Sequence, residues 1–177
     1  MMDGSANASA AAESGAVDHD RYPDAYLRGI LDTVKTIAMV GASPKWIRPS
    51  YFAMKYLQAK GYRVIPVNPI AAGLEILGEP CHASLAEIPE PVDMVDIFRN
   101  SEAALGITRQ ALALRPLPAV VWMQLGVRND KAAALAESAG LNVVMNRCPK
   151  IEYARLNGEI AWQGVNSRVI SSKRRRT

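Results

Sequence analysis

The chain has 177 residues, of which 49% are hydrophobic, and its formal net charge is +4 at pH 7. This length suffices for one domain with a buried core, and the sequence contains no run of about 20 apolar residues that could cross a bilayer. Cys81 and Cys148 are too few and too far apart for a disulfide framework or a zinc site. Residues 1–5 also lack the start of a secretory signal. We therefore expect a cytoplasmic single-domain protein that needs no metal and contacts no membrane.

The two ends of the chain are expected to lie outside the domain. Residues 1–21 are rich in alanine, serine, glycine and aspartate, which predicts a disordered leader. Residues 158–177 form a C-terminal extension that ends in the basic run 173–176. The four positive charges of that run equal the whole formal charge of the chain, so the folded part is neutral. A solvated basic tail gives little reason to expect nucleic acid as a partner.

Between these ends the hydrophobic pattern alternates between helix and strand. Strands are predicted at 37–40, 62–67, 92–98, 119–123 and 142–145. Helices are predicted at 25–34, from Pro49 to Gly61, at 84–88, at 102–114 and at 130–139. In the short helix at 84–88, Ser84 and Glu87 are placed as a capping box. Five strands that alternate with helices predict an α/β fold with an open parallel sheet between two helical layers.

The first predicted strand runs into a turn of small residues. Gly41, Ala42 and Ser43 follow this strand, and Pro49 and Ser50 begin the next helix. Such a turn lets backbone N–H groups approach a phosphate near a helix N-terminus, although a tight turn without a ligand fits the same residues. The G-x-G-x-x-G fingerprint is missing, and no carboxylate closes the second strand, so a dinucleotide is not favoured.

Small or polar residues also follow the other predicted strands. The carboxyl ends of parallel strands meet at one edge of the sheet, where ligands bind. The residues at these ends are Asn68 and Pro69, then Phe98, Arg99 and Asn100, then Gln124, Leu125 and Gly126, and finally Asn146, Arg147, Cys148 and Pro149. With two arginines among them, they predict a pocket for an extended anionic ligand. Ordinary turns are the alternative interpretation.

Six short motifs follow one another along the chain: Val-Gly-Ala-Ser-Pro at 40–44, Arg-Pro-Ser-Tyr at 48–51, Val-Ile-Pro-Val-Asn-Pro at 64–69, Val-Asp-Ile-Phe-Arg at 95–99, Val-Val-Trp-Met-Gln-Leu-Gly at 120–126 and Asn-Arg-Cys-Pro at 146–149. In this order they resemble the motifs of the single-domain CoA-binding proteins, small relatives of the CoA-binding domain in the alpha subunit of succinyl-CoA synthetase. The resemblance covers roughly 25–157 and implies a Rossmann-like domain over 22–157, with coenzyme A, free or acylated, as its ligand.

The resemblance also implies a role for each strand end. The phosphates would be held by Gly41, Ala42, Ser43, Arg48, Pro49 and Ser50, and the adenosine side would be lined by Val67, Asn68 and Pro69. The pantetheine arm would pass Phe98, Arg99, Gln124, Gly126, Asn146, Arg147 and Cys148. Family members often carry a basic residue after Asn-Pro, whereas Ile70 stands here. Lys45 or Arg48 is therefore the expected contact for the 3′-phosphate.

No set of residues in the sequence points to catalysis. His19 lies in the predicted leader, and His82 lies in a connecting segment without a partner carboxylate in view. Cys148 is a candidate nucleophile if Arg147 lowers its pKa, and otherwise a small apolar residue in a turn. Three hypotheses stay open: a CoA-binding protein without catalysis, a Rossmann-type nucleotide-sensing regulator, and the CoA-binding component of an acyl-CoA ligase. Two macromolecular partners also stay possible from the sequence: a second copy of this chain and a partner enzyme.

Overall fold

The computed structural model describes residues 16–159. The helices are α1 (Asp24–Thr33), α2 (Pro49–Ala59), α3 (Ser101–Ala113), α4 (Asp130–Ser138) and α5 (Pro149–Leu156). The strands are β1 (Thr36–Val40), β2 (Arg63–Val67), β3 (Glu75–Ile76), β4 (Glu79–Pro80), β5 (Met94–Ile97), β6 (Val120–Met123) and β7 (Asn142–Val144). No helix in the described range is long and apolar enough to span a bilayer.

Five strands form one open sheet in the order β2-β1-β5-β6-β7, and every neighbouring pair is parallel. The predicted Rossmann-like α/β architecture is therefore confirmed. The chain leaves β1 toward β2 on one side and later returns to β5 on its other side. This reversal of strand order opens a crevice between the carboxyl ends of β1 and β5, where sheets of this type bind ligands.

Helices cover both faces of the sheet because its central strands are apolar on both sides. Met39 and Trp122 lie in the core beneath α1 and α2, against which α5 also packs. Ala38 and Val121 face the opposite way, into the core beneath α3 and α4. Side chains alternate along a strand, so Asp96, two residues after Met94, points to the same face as Trp122.

Two details of the connection between β2 and β5 differ from the sequence prediction. β3 and β4 pair antiparallel around Leu77 and Gly78, both with positive φ, in a hairpin too short to show a hydrophobic period. The helix predicted at 84–88 is a single 3₁₀ turn, Leu85–Glu87. Its capping box is not formed: the Ser84 side chain makes no capping bond, and the Glu87 carboxylate accepts the N–H of Ala83, not that of Ser84, at 3.0 Å.

Part of the predicted leader contacts the domain. Residues 1–15 and 160–177, which include the basic run, lie outside the described residues. Within 16–21, the His19 ring nitrogen Nδ1 lies 2.8 Å from the Tyr22 hydroxyl, and Asp20 pairs with Arg128. The Tyr22 hydroxyl in turn accepts the Met145 N–H at 2.7 Å, just beyond β7. The segment before α1 therefore covers part of the outer edge of the sheet.

Candidate functional site

The turn after β1 is shaped by Gly41. Its φ is +92°, and a Cβ built on it would lie 3.0 Å from the Phe98 carbonyl oxygen and 3.0 Å from Cδ of Arg99. Glycine is required here because the backbone is left-handed and passes close to the end of β5. The Gly41 N–H already donates to the Val67 carbonyl at 2.8 Å, so it is not free to bind a phosphate.

The next two backbone N–H groups are available. Within residues 16–159, the amides of Ala42 and Ser43 donate to no acceptor. The Ser43 hydroxyl accepts the Lys45 N–H at 3.2 Å, which curls the loop toward α2. This places two unpaired donors directly after Gly41, at the mouth of the crevice between β1 and β5. Such groups suit an anion.

Asn68 links the turns after β1 and β2. Its side-chain nitrogen donates to the Ala42 carbonyl at 2.8 Å, and its side-chain oxygen accepts the Ile70 N–H at 3.0 Å. Val67 before it is buried in β2, and Pro69 after it begins a 3₁₀ turn. The asparagine is thus occupied in holding the rim together, a role that its position in the sequence did not reveal.

Three exposed cations surround the crevice: Lys45, Arg48 and Arg99. None of them forms an ion pair with a carboxylate among the described residues. Two of them belong to the loop that carries the unpaired amides, and Arg99 touches that loop at Gly41. Their charges are therefore uncompensated at the place where the backbone donors converge.

An apolar groove of about 580 Å³ adjoins this cationic turn. Its apolar lining includes Ile47, Phe52, Phe98, Leu125, Val127 and Ile151. Pro49, Gln124 and Cys148 also line the groove, so together with Phe98 four residues predicted for the site lie there. Three of the apolar members are unusually exposed: Ile47 by 62%, Phe52 by 47% and Leu125 by 63%. The groove can hold an extended apolar chain whose anionic end rests on the turn.

Gln124 lines the groove, and the buried Asp96 lies behind it. Gln124 Nε2 lies 3.1 Å from Asp96 Oδ1 and 3.2 Å from Oδ2. Asp96 is fully buried, and this burial raises its pKa to about 8 because the charged form loses its hydration. The hydrogen bond from Gln124 favours the charged form and opposes this rise. Sequence reasoning did not select Asp96, although a carboxylate inside an apolar strand was the available signal.

Cys148 lies at the start of α5 and faces the groove. Burial raises the pKa of its thiol, and the nearby Asp96 adds to the effect, whereas the amides of Ile151 and Lys150 oppose it. The sequence-based idea that Arg147 lowers this pKa is not supported. Cys148 therefore remains a thiol at neutral pH and contributes packing rather than a thiolate.

Arg147 lies outside the groove. Its guanidinium lies 5.4 Å from the centre of the Tyr22 ring, donates to the Asp20 carbonyl at 3.3 Å and faces Glu152 at 3.8 Å. The chain turns at Asn146, whose φ is +53°, so that Arg147 and Cys148 point to opposite sides of the first turn of α5.

Asn146 and Gly126 are joined to each other and do not line the groove either. The Gly126 N–H donates to the Asn146 side-chain oxygen at 2.7 Å. This bond ties the loop after β6 to the loop after β7. Of the residues predicted for the pantetheine side, the structure thus brings Phe98, Gln124 and Cys148 together and puts Arg147, Asn146 and Gly126 elsewhere.

A second cleft, also of about 580 Å³, lies on the other side of α5. It is lined by charged side chains that bind one another. Arg155 donates to Glu152 Oε2 at 3.0 and 2.8 Å and pairs with Asp24 at 2.9 Å. Arg147 completes this set on Glu152. The positive charges here are largely balanced within the protein.

Comparison with known proteins identifies the family of the chain. The sequence profile of the CoA binding domain family matches residues 35–154. The chain belongs to this family of CoA-binding domains.

Its relatives differ in length. YneT, an uncharacterized protein of Bacillus subtilis, is 37% identical over 130 residues, which cover 73% of this chain and 93% of that protein. The ADP-forming acetate–CoA ligase I of Archaeoglobus fulgidus is 30% identical over 149 residues, which cover 80% of this chain but 21% of the ligase. A solved structure from Thermus thermophilus is 41% identical, with a TM-score of 0.72, and the match covers 76% of this chain and 99% of that one.

Proposed function

We propose that the protein binds coenzyme A, free or acylated, along the carboxyl edge of its sheet. The pyrophosphate rests on the Ala42 and Ser43 amides, and the pantetheine arm lies in the apolar groove. One observation carries this proposal: a turn with unpaired donors and uncompensated cations opens directly into an apolar groove. Coenzyme A has the same division into an anionic head and a long, weakly polar arm.

The cations of the turn suit the phosphates of the head. Lys45 and Arg48 lie on the loop between β1 and α2, and Arg99 approaches from the end of β5. Ile70, 88% exposed after Asn68 and Pro69, brings no charge to the adenosine side. We therefore assign the 3′-phosphate to Lys45 or Arg48, as the sequence suggested.

The protein acts by binding, without chemistry of its own. Cys148 in the groove is held as a neutral thiol. His19 contacts the Tyr22 hydroxyl and Glu137. Because the Tyr22 hydroxyl binds the backbone of Met145 just beyond β7, His19 lies near β7 and not near the crevice. His82 lies beside β2, and no carboxylate pairs with its ring among residues 16–159. These placements support a carrier or sensor of CoA.

A second candidate is the CoA-binding component of an acyl-CoA ligase. The likeness to the acetate–CoA ligase of Archaeoglobus fulgidus favours it. In that case a partner chain supplies the nucleotide-binding and phosphate-transfer steps. The dinucleotide-sensing hypothesis gains no such support, because Asn68 at the end of β2 uses its side chain on Ala42 and Ile70 and offers no carboxylate for a ribose.

Calorimetric titration of the full chain with CoA, acetyl-CoA and NAD tests the proposal. We expect both CoA compounds to bind and NAD not to bind. Failure of CoA and acetyl-CoA to bind would overturn the proposed function. A partner that co-purifies with the protein and produces acyl-CoA only in its presence would favour the ligase component over the stand-alone carrier.

A further inference from the structure

Gln124 combines deep burial with an unused hydrogen-bonding group. It is 5% exposed, lines the apolar groove and directs its side-chain nitrogen onto Asp96. Among residues 16–159, no donor reaches its side-chain carbonyl. The carbonyl oxygen is not one of the enclosed side-chain atoms that lack a hydrogen-bond partner, which among the described residues are Thr108 Oγ1 and Glu137 Oε1, so it is open to the groove. The carbonyl is therefore suited to a donor that arrives with a ligand.

Asp96 explains why the amide is held in this orientation. It lies in β5 at the centre of the sheet, fully buried, and no cation of the described chain pairs with it. Its strand neighbours in register, Met39 and Trp122, are apolar or nearly so. The one side-chain hydrogen-bond partner of Asp96 in the described residues is Gln124. A buried acid of this kind costs stability, which suggests a functional reason for its presence.

We infer that Asp96 positions Gln124 so that the Gln124 carbonyl accepts a hydrogen bond from an amide N–H of the pantetheine arm. This inference rests on the proposed function and deepens it. The remaining lining of the groove is mainly apolar and would accept any hydrocarbon chain of suitable length. One oriented acceptor in such a groove selects an amide-bearing arm, because a hydrocarbon would leave that acceptor buried and unpaired. Gln124 is thus a specificity-determining residue, and Asp96 is a positioning residue.

The test compares two ligands that share the head of CoA. Adenosine 3′-phosphate 5′-diphosphate has the phosphates and the adenosine but no arm, so it reports the cationic turn alone. The ratio of its Kd to that of CoA reports the arm. In Gln124→Leu we expect CoA to bind about tenfold more weakly, while the affinity for the nucleotide stays unchanged. Gln110→Leu, at an exposed position of α3, is the matched control and should alter neither affinity.

Two substitutions of Asp96 test its positioning role. Asp96→Asn puts an NH2 group beside Gln124 that can donate to the Gln124 carbonyl, so it should lower CoA affinity. Asp96→Val fills the position with an apolar side chain, releases Gln124 and should lower CoA affinity as Gln124→Leu does. Nucleotide affinity should be unchanged in both variants, which shows at once that they are folded. A merely structural role would instead weaken both ligands together.

The outcomes separate the two proposals. If neither ligand binds the wild-type protein, the proposed function is wrong, and this inference fails with it. If both ligands bind but Gln124→Leu leaves the ratio of their affinities unchanged, CoA binding stands and the assignment of Gln124 is overturned. Should Asp96→Val fail to fold, the Gln124→Leu comparison still decides the matter.

Discussion

The two clefts beside α5 have the same volume, about 580 Å³, and opposite chemistry. The groove has an apolar wall, an unpaired amide carbonyl on Gln124, and unpaired cations on the adjoining turn. In the second cleft, Arg155 and Arg147 are bound to Glu152, and Arg155 also to Asp24. The comparison shows that size alone does not mark a ligand site here. The groove differs from the second cleft because its carbonyl acceptor and the adjoining cations have no partners within the described residues.

α5 divides the two clefts because its faces alternate with the helical period. Cys148 and Ile151, three residues apart, face the groove, whereas Glu152 and Arg155, also three apart, face the second cleft. The same short helix therefore supplies a ligand wall on one side and an internal ion-pair network on the other. Substitutions on the two sides should have different consequences: loss of CoA affinity in the groove, and loss of stability in the second cleft.

The largest effect is expected at the turn beside the groove. Gly41→Ala should abolish CoA binding, because its Cβ would lie 3.0 Å from the Phe98 carbonyl and force the turn to move. Gly140→Ala is the matched control, since Gly140 also has a positive φ of +87° but has nothing within 4 Å of a Cβ. Both variants should lose about 1 kcal/mol for the backbone strain, and Gly41→Ala should lose more. Urea unfolding and calorimetry with CoA measure the two effects. Unchanged CoA affinity in Gly41→Ala would remove the phosphate site from this turn.

A somewhat smaller effect should follow from removing the cations of the turn. In the wild type, CoA should bind more tightly than 3′-dephospho-CoA by about 1.5–3 kcal/mol, as for a hydrogen bond to a charged group. The double variant Lys45→Ala/Arg48→Ala should lose this preference. Arg155→Ala removes a cation from the second cleft and should leave the preference intact, although it strips the buried Glu152 of its closest partner. An equal preference in all three proteins would place the 3′-phosphate elsewhere.

Much of the fold could be predicted from the sequence, and the limits of that prediction have physical causes. The central strands were found because a sheet covered on both faces needs continuous apolar runs, as in Ile37–Val40. The turn after β1 was recognised because small residues follow such a run. The bounds of the five parallel strands accordingly differ from the prediction by two residues or fewer at each end.

The directions in which the site side chains point could not be predicted from the sequence. Arg147 and Cys148 are neighbours in the chain and were assigned to one rim, yet they point into different clefts, because the left-handed Asn146 and the first turn of α5 separate them. The partnership of Asp96 with Gln124, 28 residues away, depends on the parallel pairing of β5 with β6. No local pattern contains that information.

Asp96 makes the free energy of unfolding of the protein depend on pH. An aspartate in the unfolded chain titrates near pH 4, whereas Asp96 in the folded protein titrates near pH 8. Between these values the folded state holds more protons, so the free energy of unfolding falls as pH rises, by up to about 1.4 kcal/mol per pH unit from this group. In Asp96→Asn this contribution disappears. Urea denaturation from pH 5 to pH 8 should therefore give a shallower decline in the variant, and parallel profiles would contradict the raised pKa.

The smallest effect is expected in the second cleft, and it should involve stability alone. The Tyr22 hydroxyl accepts the Met145 N–H at 2.7 Å, so Tyr22→Phe leaves a backbone donor beyond β7 without that partner. We expect a loss of about 1–2 kcal/mol in the free energy of unfolding. Tyr153→Phe is the control, because its hydroxyl has no hydrogen bond among residues 16–159 and its removal should cost little. CoA affinity should stay within about twofold of wild type in both, since neither hydroxyl faces the groove and an effect of 0.5 kcal/mol or less is typical of changes away from a binding site. A marked loss of CoA affinity in Tyr22→Phe would show that the two clefts are coupled through α5, and that the division between a binding side and a structural side is wrong.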